Sequence, residues 1–243
     1  MERTDAPSRA GTSRREAAPG EAAGDSERRA TRDAAATRAR ILAAASKEFA
    51  DKGLKGTRID EIAKRSRCNK ALIYHYFASK EALFSAVLEK TYEDIRTAEH
   101  KLDLTHREPV EAMRELIGFS FDYVSAHPEF ISLINDENLH GGVHVAHSAK
   151  ARDLNSPLVS VIETILDRGE AEGKFRGGVD PVQLYISIAS ICYFFIANRS
   201  TLSVIFDLPK TPDILDIRRR HVIDVILGYL RPNGPAGTAK PGV

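Results

Sequence analysis

The chain has 243 residues, 42% of them hydrophobic, and only two cysteines, Cys68 and Cys192, set far apart, so it can bury a sizeable core without a disulfide framework. Its net charge of +1 hides an asymmetry: residues 37–80 hold eleven basic and four acidic side chains, whereas 81–243 hold seventeen and twenty-three. A basic module fused to an acidic body points to one polyanion-binding segment, and the near-neutral total argues against a non-specific DNA-packaging protein, which depends on many phosphate contacts.

Residues 1–30 are rich in Ala, Gly, Ser, Arg and Glu and are expected to be disordered, because they offer almost no large apolar side chain to bury. A first helix is expected from Thr31 to Asp51, with Ile41, Leu42, Ala45 and Phe49 at helical spacing and Lys52-Gly53 as its stop. Thr57 reads as the cap of a second helix, with Asp60 three residues on in a capping-box position. Ile59, Ile62 and Ala63 form that helix's buried face. Asn69 reads as the cap of a third helix, anchored by Leu72, Ile73, Tyr76 and Phe77. Ser79 opens a fourth, which carries Leu83, Phe84, Val87, Leu88, Tyr92 and Ile95 and is expected to run past residue 100.

Further helices are expected over 109–126 and 128–139, separated by His127-Pro128. Gly141-Gly142 breaks the chain, and another helix begins near 148–157 and ends at Gly173. Asp180-Pro181 and Thr211-Pro212 each place a cap before a proline at the first helical position. They open helices over 181–206, with a possible break at 198–200, and over 212–230. Strand-like alternation and hairpin signals are scarce, so the expected fold is all-α. The expected organisation is a disordered tail 1–30, a helix-turn-helix domain 31–80, a helical effector-binding and dimerisation domain 81–231, and a frayed, Gly- and Pro-rich tail 232–243. The most apolar stretch, 186–197, is too short to span a bilayer and the first forty residues are polar, so the expected compartment is the cytoplasm.

The stretch 57–80, TRIDEIAKRSRCNKALIYHYFASK, carries the chemistry. Two short helices joined by a tight turn, basic overall, have the layout of a helix-turn-helix reader whose second helix enters the major groove of double-stranded DNA. Lys70 suits guanine or phosphate; Tyr74 and His75 suit phosphates, which set register rather than sequence. Thr57 and Arg58 at the start of one helix, and Lys80 at the start of the fourth, put N–H groups and positive charge where phosphates pass.

Residues 37–88 resemble the N-terminal DNA-binding domain of the TetR family of bacterial transcriptional regulators. The resemblance is carried by Phe49, Gly53, Thr57, Ile59, Ile62 and Ala63, by LIYHYF at 72–77 and by SKEALF at 79–84. Two positions depart from the family pattern. Arg67 stands where Gly is usual because the backbone favours positive φ, a cost of about 1 kcal/mol that a phosphate contact could offset. Asn69 stands where Ser or Thr is commoner, able to cap and to read adenine.

The resemblance implies a ligand-responsive regulator, usually a repressor, that binds a palindromic operator as a homodimer. The family's dimer interface maps onto the last two helices here, where apolar residues lie on more than one face. They are Tyr185, Ile186, Ile188, Ile191, Phe194 and Phe195 in one helix, and Ile214, Ile217, Val222, Val225, Ile226 and Tyr229 in the other. A small-molecule effector would bind among the helices between 84 and 200, with Phe84, Phe119, Tyr123, Asn138, His140 and Tyr193 as candidate contacts. No cofactor is expected. The competing reading is a metal-dependent enzyme using His140, His144 and His147 with a carboxylate such as Glu137, although Gly141-Gly142 interrupts the helix that would align them. This stretch, with His127-Pro128-Glu129, also resembles the ligand domain of the pyrimidine-utilisation repressor subgroup.

Overall fold

The computed structural model describes residues 19–209, 211 and 213–232. Within them the chain is helical and forms no strand. The helices are α1 (Pro19–Gly56), α2 (Ile59–Ser66), α3 (Lys70–Phe77), α4 (Lys80–Glu99), α5 (Pro109–Ala126), α6 (Pro128–Leu139), α7 (Val143–Ala146), α8 (Ala149–Ala171), α9 (Pro181–Ala197), α10 (Arg199–Ile205) and α11 (Asp213–Leu230). The chain divides into two units, residues 1–40 and 41–243. Of the first, residues 19–40 are described, and all are helical. The helix therefore begins at Pro19 rather than near Thr31, which corrects the expected disorder over 19–30. Proline is tolerated at a first helical position, and Ala, Arg and Glu favour helix locally even where nothing apolar is available to pack. The rest of that expected tail, 1–18, lies outside the described residues, as do Pro212 and 233–243.

The second unit holds two cores. The smaller gathers Ile41, Ala45 and Phe49 of α1, Ile59 and Ile62 of α2, Ile73 and Phe77 of α3, Leu83, Phe84, Val87 and Leu88 of α4, and Leu133 of α6. Phe49 and Phe84 meet edge to face with centroids 5.1 Å apart at its centre. Truncating either to alanine would cost about 3–5 kcal/mol. The larger core joins Met113, Ile117 and Phe121 of α5, Ile162 and Ile165 of α8, Ile188 and Cys192 of α9, and Val222 and Ile226 of α11. Neither cysteine forms a disulfide; burial pushes the Cys192 thiol up to about 12.

Several ends have legible causes. Asn69 Oδ1 accepts from Leu72 N at 2.7 Å, Ser79 Oγ from Ala82 N at 2.9 Å and Asp180 Oδ1 from Gln183 N at 2.8 Å, all as expected of caps. α4 stops at Glu99 instead of passing residue 100. There the chain tightens through Lys101 N to Ala98 O, 3.2 Å, and Leu102 N to Glu99 O, 2.9 Å, and Leu104 turns into the larger core. The short α7 was not foreseen. It forms where the buried Glu137 carboxylate accepts from the amides of His144 and Val145 at 2.8 and 2.9 Å. α9 and α10 bend by 69° at Asn198, whose side-chain amide donates to Phe194 O at 2.8 Å. Among the described residues no single helix is long and apolar enough to cross a membrane.

Candidate nucleic-acid interface

α2 buries Ile59, Ile62 and Ser66 and turns its charged side chains outward. The turn to α3 runs through Arg67, whose φ of 55° and ψ of 36° place it in the left-handed region that its usual replacement by Gly implied. Cys68 N closes the turn on Ala63 O at 3.1 Å. α3 points Ile73 and Phe77 into the core and leaves Lys70, Tyr74 and His75 exposed. Arg58, Arg67, Asn69, Lys70, Tyr74 and His75 thus form a solvent-facing polar surface on and beside one short helix, the geometry a groove reader needs. Tyr76 is half-buried and Phe77 buried, so these two serve the core.

Two predicted contact residues are engaged inside the fold. Thr57 is only 2% exposed, and its hydroxyl donates to Glu48 O at 2.9 Å and Gly53 O at 2.8 Å. It ties α1 to the turn and does not cap α2, whose flanking residue is Arg58 without a side-chain cap. Lys80 donates through Nζ to Leu54 O at 2.8 Å and Thr57 O at 3.2 Å. A cation bonded to carbonyls at the end of a helix neutralises that end's partial charge and is less available to a phosphate. The buried Glu48 completes the clamp: its carboxylate takes Lys52 Nζ at 2.8 Å and Arg65 Nε at 2.7 Å. The Lys52 hydrogen bond and then Arg65 hold its carboxyl below the usual range, against the cost of burial.

A hydrogen bond adds to the packing of Leu133 in tying this head to the helices behind it. Asp136 of α6 accepts from Leu54 N at 2.6 Å, beside Gly53, whose φ is 68°. The opposite side of α6 contributes Phe130, Ile134 and Asn138 to a cavity of about 300 Å³, also walled by Tyr92 and Glu99 of α4, Ser120 of α5, and Tyr185 and Tyr193 of α9. Glu99 is shared with a second cavity of about 200 Å³ lined by Arg96, His100, Leu104 and Leu158. Between the two, the buried Arg96 donates to the Glu99 carboxylate and, at 2.9 Å, to the Tyr185 hydroxyl. Burial pushes the Glu99 carboxyl above its usual range, outweighing Arg96.

Of the candidate effector contacts, Asn138 and Tyr193 lie on the 300 Å³ cavity; the Tyr193 hydroxyl bonds Asn135 Oδ1. Phe119 and Tyr123 stand one layer back: Tyr123 packs against Phe130 at 6.0 Å and stacks on His127 at 4.1 Å. Burial pushes the Tyr123 hydroxyl up to about 12. Phe84 is corrected: fully buried in the smaller core, it packs between Phe49 and His144 and is not on the cavity wall. His140 is likewise off the wall, its Nδ1–H donating to Asp136 O at 2.7 Å. His144 Nδ1 pairs with Glu137 Oε2 at 2.6 Å and His147 Nδ1 with Val143 O at 2.6 Å. Each Nδ1 is bonded to a neighbour on its own segment, and among the described residues no three His, Cys, Asp or Glu side chains are grouped to hold a metal.

Residues 41–87 match the model for bacterial regulatory proteins of the tetR family, and 109–226 match the tetracyclin repressor-like C-terminal domain. The HTH-type transcriptional repressor NicS of Pseudomonas putida is 44% identical over 167 residues, covering 69% of this chain and 79% of NicS. The chain belongs to the TetR family. The HTH-type transcriptional repressor SCO4008 of Streptomyces coelicolor is 38% identical over 143 residues, 58% of this chain and 70% of that protein. Among solved structures, the transcriptional regulator SCO4942 of Streptomyces coelicolor has a TM-score of 0.61 at 27% identity, over 80% of this chain and 98% of that one. The function is accordingly DNA-binding regulation of transcription.

Three features of this TetR head escaped the sequence. Asp60 ion-pairs with Lys70, 3.3 Å apart, with both side chains more than half exposed. Glu48 and Asp136 are buried or half-buried carboxylates whose partners lie 17 and 82 residues away in the chain. Only Glu48 left a local trace, its i,i+4 spacing to Lys52.

Proposed function

We propose that this TetR-family regulator represses transcription from the cytoplasm as a symmetric homodimer on a palindromic operator, and lets go when a small molecule fills the cavity between α4, α5, α6 and α9. Residues 31–80 are the reading head, and 81–231 bind the effector and the second subunit. The observation that carries this reading is the exposed set Arg58, Arg67, Asn69, Lys70, Tyr74 and His75 on a helix-turn-helix whose inward face is apolar. One short reading helix discriminates weakly, so two half-sites are needed. A partner surface is supported by Ile186 and Phe194 of α9 and Ile217, Val225 and Tyr229 of α11, each 41–56% exposed beside the buried Ile188, Phe195, Val222 and Ile226. The effector acts through its preference for a dimer whose heads are wrongly spaced for successive major grooves.

The test is selection of binding sites from a DNA library, beginning with the sequence around the protein's own gene. A palindrome should emerge. Lys70→Ala should weaken its binding about tenfold and Tyr74→Phe several-fold, both without a change in melting temperature. Recovery of no palindrome, or equal affinity for random DNA at moderate salt, would overturn the reading.

A further inference from the structure

We propose that the effector is a small aromatic carboxylate of one or two rings. Its ring would lie in the 300 Å³ cavity among Tyr92, Phe130 and Tyr193, and its carboxylate at the Arg96–Glu99–Tyr185 partition. The proposal rests on the regulator reading above and specifies the chemistry of that site.

Size comes first. A cavity of about 300 Å³ stands at the small end of ligand sites and suits a ligand of one or two rings. Its aromatic lining favours a planar ligand; Tyr92 and Phe130 already meet edge to face at 6.4 Å. The polar end is set by hydrogen-bond accounting. Arg96 is 4% exposed, its two terminal nitrogens are occupied by Glu99 and Tyr185, and its buried Nε–H has no partner. A buried donor left unpaired is costly, so an arginine there is an unmet demand for an acceptor. The Tyr185 hydroxyl accepts from Arg96, which leaves its own proton to give. The partition therefore still holds open donors, and guanidinium with carboxylate is the strongest pairing they can make.

Glu99 opposes a second carboxylate, and its environment supplies the answer. Facing it are Arg96, Tyr92 and His100 from α4 and the turn after it, Tyr185 from α9, the more distant Tyr123 from α5, and, among the described residues of α8, the apolar Pro157, Leu158 and Val161. Arg96 is the one fixed positive charge among them, and burial already pushes the Glu99 carboxyl above its usual range. An arriving anion would push it further, so Glu99 takes up a proton as the ligand binds. Protonated, it becomes another donor to the incoming oxygens. Proton uptake on binding means affinity rises as the pH falls.

The experiment titrates the intact protein, by calorimetry and thermal shift, with benzoate, phenylacetate and 2-naphthoate, and with the amide and the amine matching each acid. At least one acid should bind, raise the melting temperature by mass action, and bind at least tenfold more tightly than its amide and amine. Arg96→Gln should abolish that binding. Because Arg96 is buried and its loss could unfold the protein, Tyr185→Phe is the second variant, expected to weaken binding about fivefold with the melting temperature of the free protein kept. Glu99→Gln should flatten the pH dependence. Failure of all three acids, an amine or amide that binds as well, or full affinity in Tyr185→Phe would overturn the proposal. Operator binding is measured in parallel: if it stands while the acids fail, only the ligand class falls, and if acids bind but no palindrome is recognised, the regulator reading falls instead.

Discussion

At residue scale, stability and DNA-facing charge oppose each other at two positions of the reading head. Arg67 occupies a left-handed backbone that costs a non-glycine residue about 1 kcal/mol, and its exposed guanidinium is free to face phosphate. Arg67→Gly is therefore expected to raise folding stability by about 1 kcal/mol in denaturant unfolding while weakening operator binding and lowering its salt dependence by about one phosphate contact. Asp60 works the other way. Its exposed pair with Lys70 contributes about 0–1 kcal/mol to folding and occupies a cation on the DNA-facing side. Asp60→Asn should leave the melting temperature almost unchanged and tighten operator binding a few-fold in a low-salt titration. Local chemistry made Arg67 legible, since a family glycine replaced by arginine announces positive φ. Asp60 was misread because the same residue type at the third position of a helix also signals a capping box, and only the placement of α3 brings Lys70 to it.

At element scale, the joint between α1 and α2 is tightly constrained. Gly53, with φ 68° and ψ 173°, sits in a region open essentially to glycine alone, and an added Cβ would lie 3.0 Å from Asp136 Oδ1. Gly53→Ala is expected to cost about 1–3 kcal/mol and to speed hydrogen exchange at the Leu54 amide, which bonds Asp136. The stop at Gly53 was readable from sequence; the role of Thr57 was not. A threonine before a polar helix start suggests a cap, but Thr57 hydroxyl finds two carbonyls of the incoming chain first, and Lys80 closes over the same joint from α4.

At the scale of the whole molecule, α9 and α11 divide their apolar residues between the larger core and an outward face. If that outward face joins two subunits, Ile217→Asp combined with Val225→Asp should give a folded monomer by light scattering that no longer binds a palindrome cooperatively. A dimer surviving this pair of charges would place the interface elsewhere. The sequence by itself determined the helical class, the starts of α3, α4 and α9, and both ends of α5 and α6. These follow from apolar periodicity, capping residues and glycine or proline stops, all of which act within a few residues of the chain. The tertiary structure alone decided which aromatic side chains face the cavity, why Phe84 does not, and where Arg96 meets Tyr185. Those outcomes depend on how α4, α5, α6 and α9 pack against one another, and a helical period records that a face is buried without recording what it is buried against.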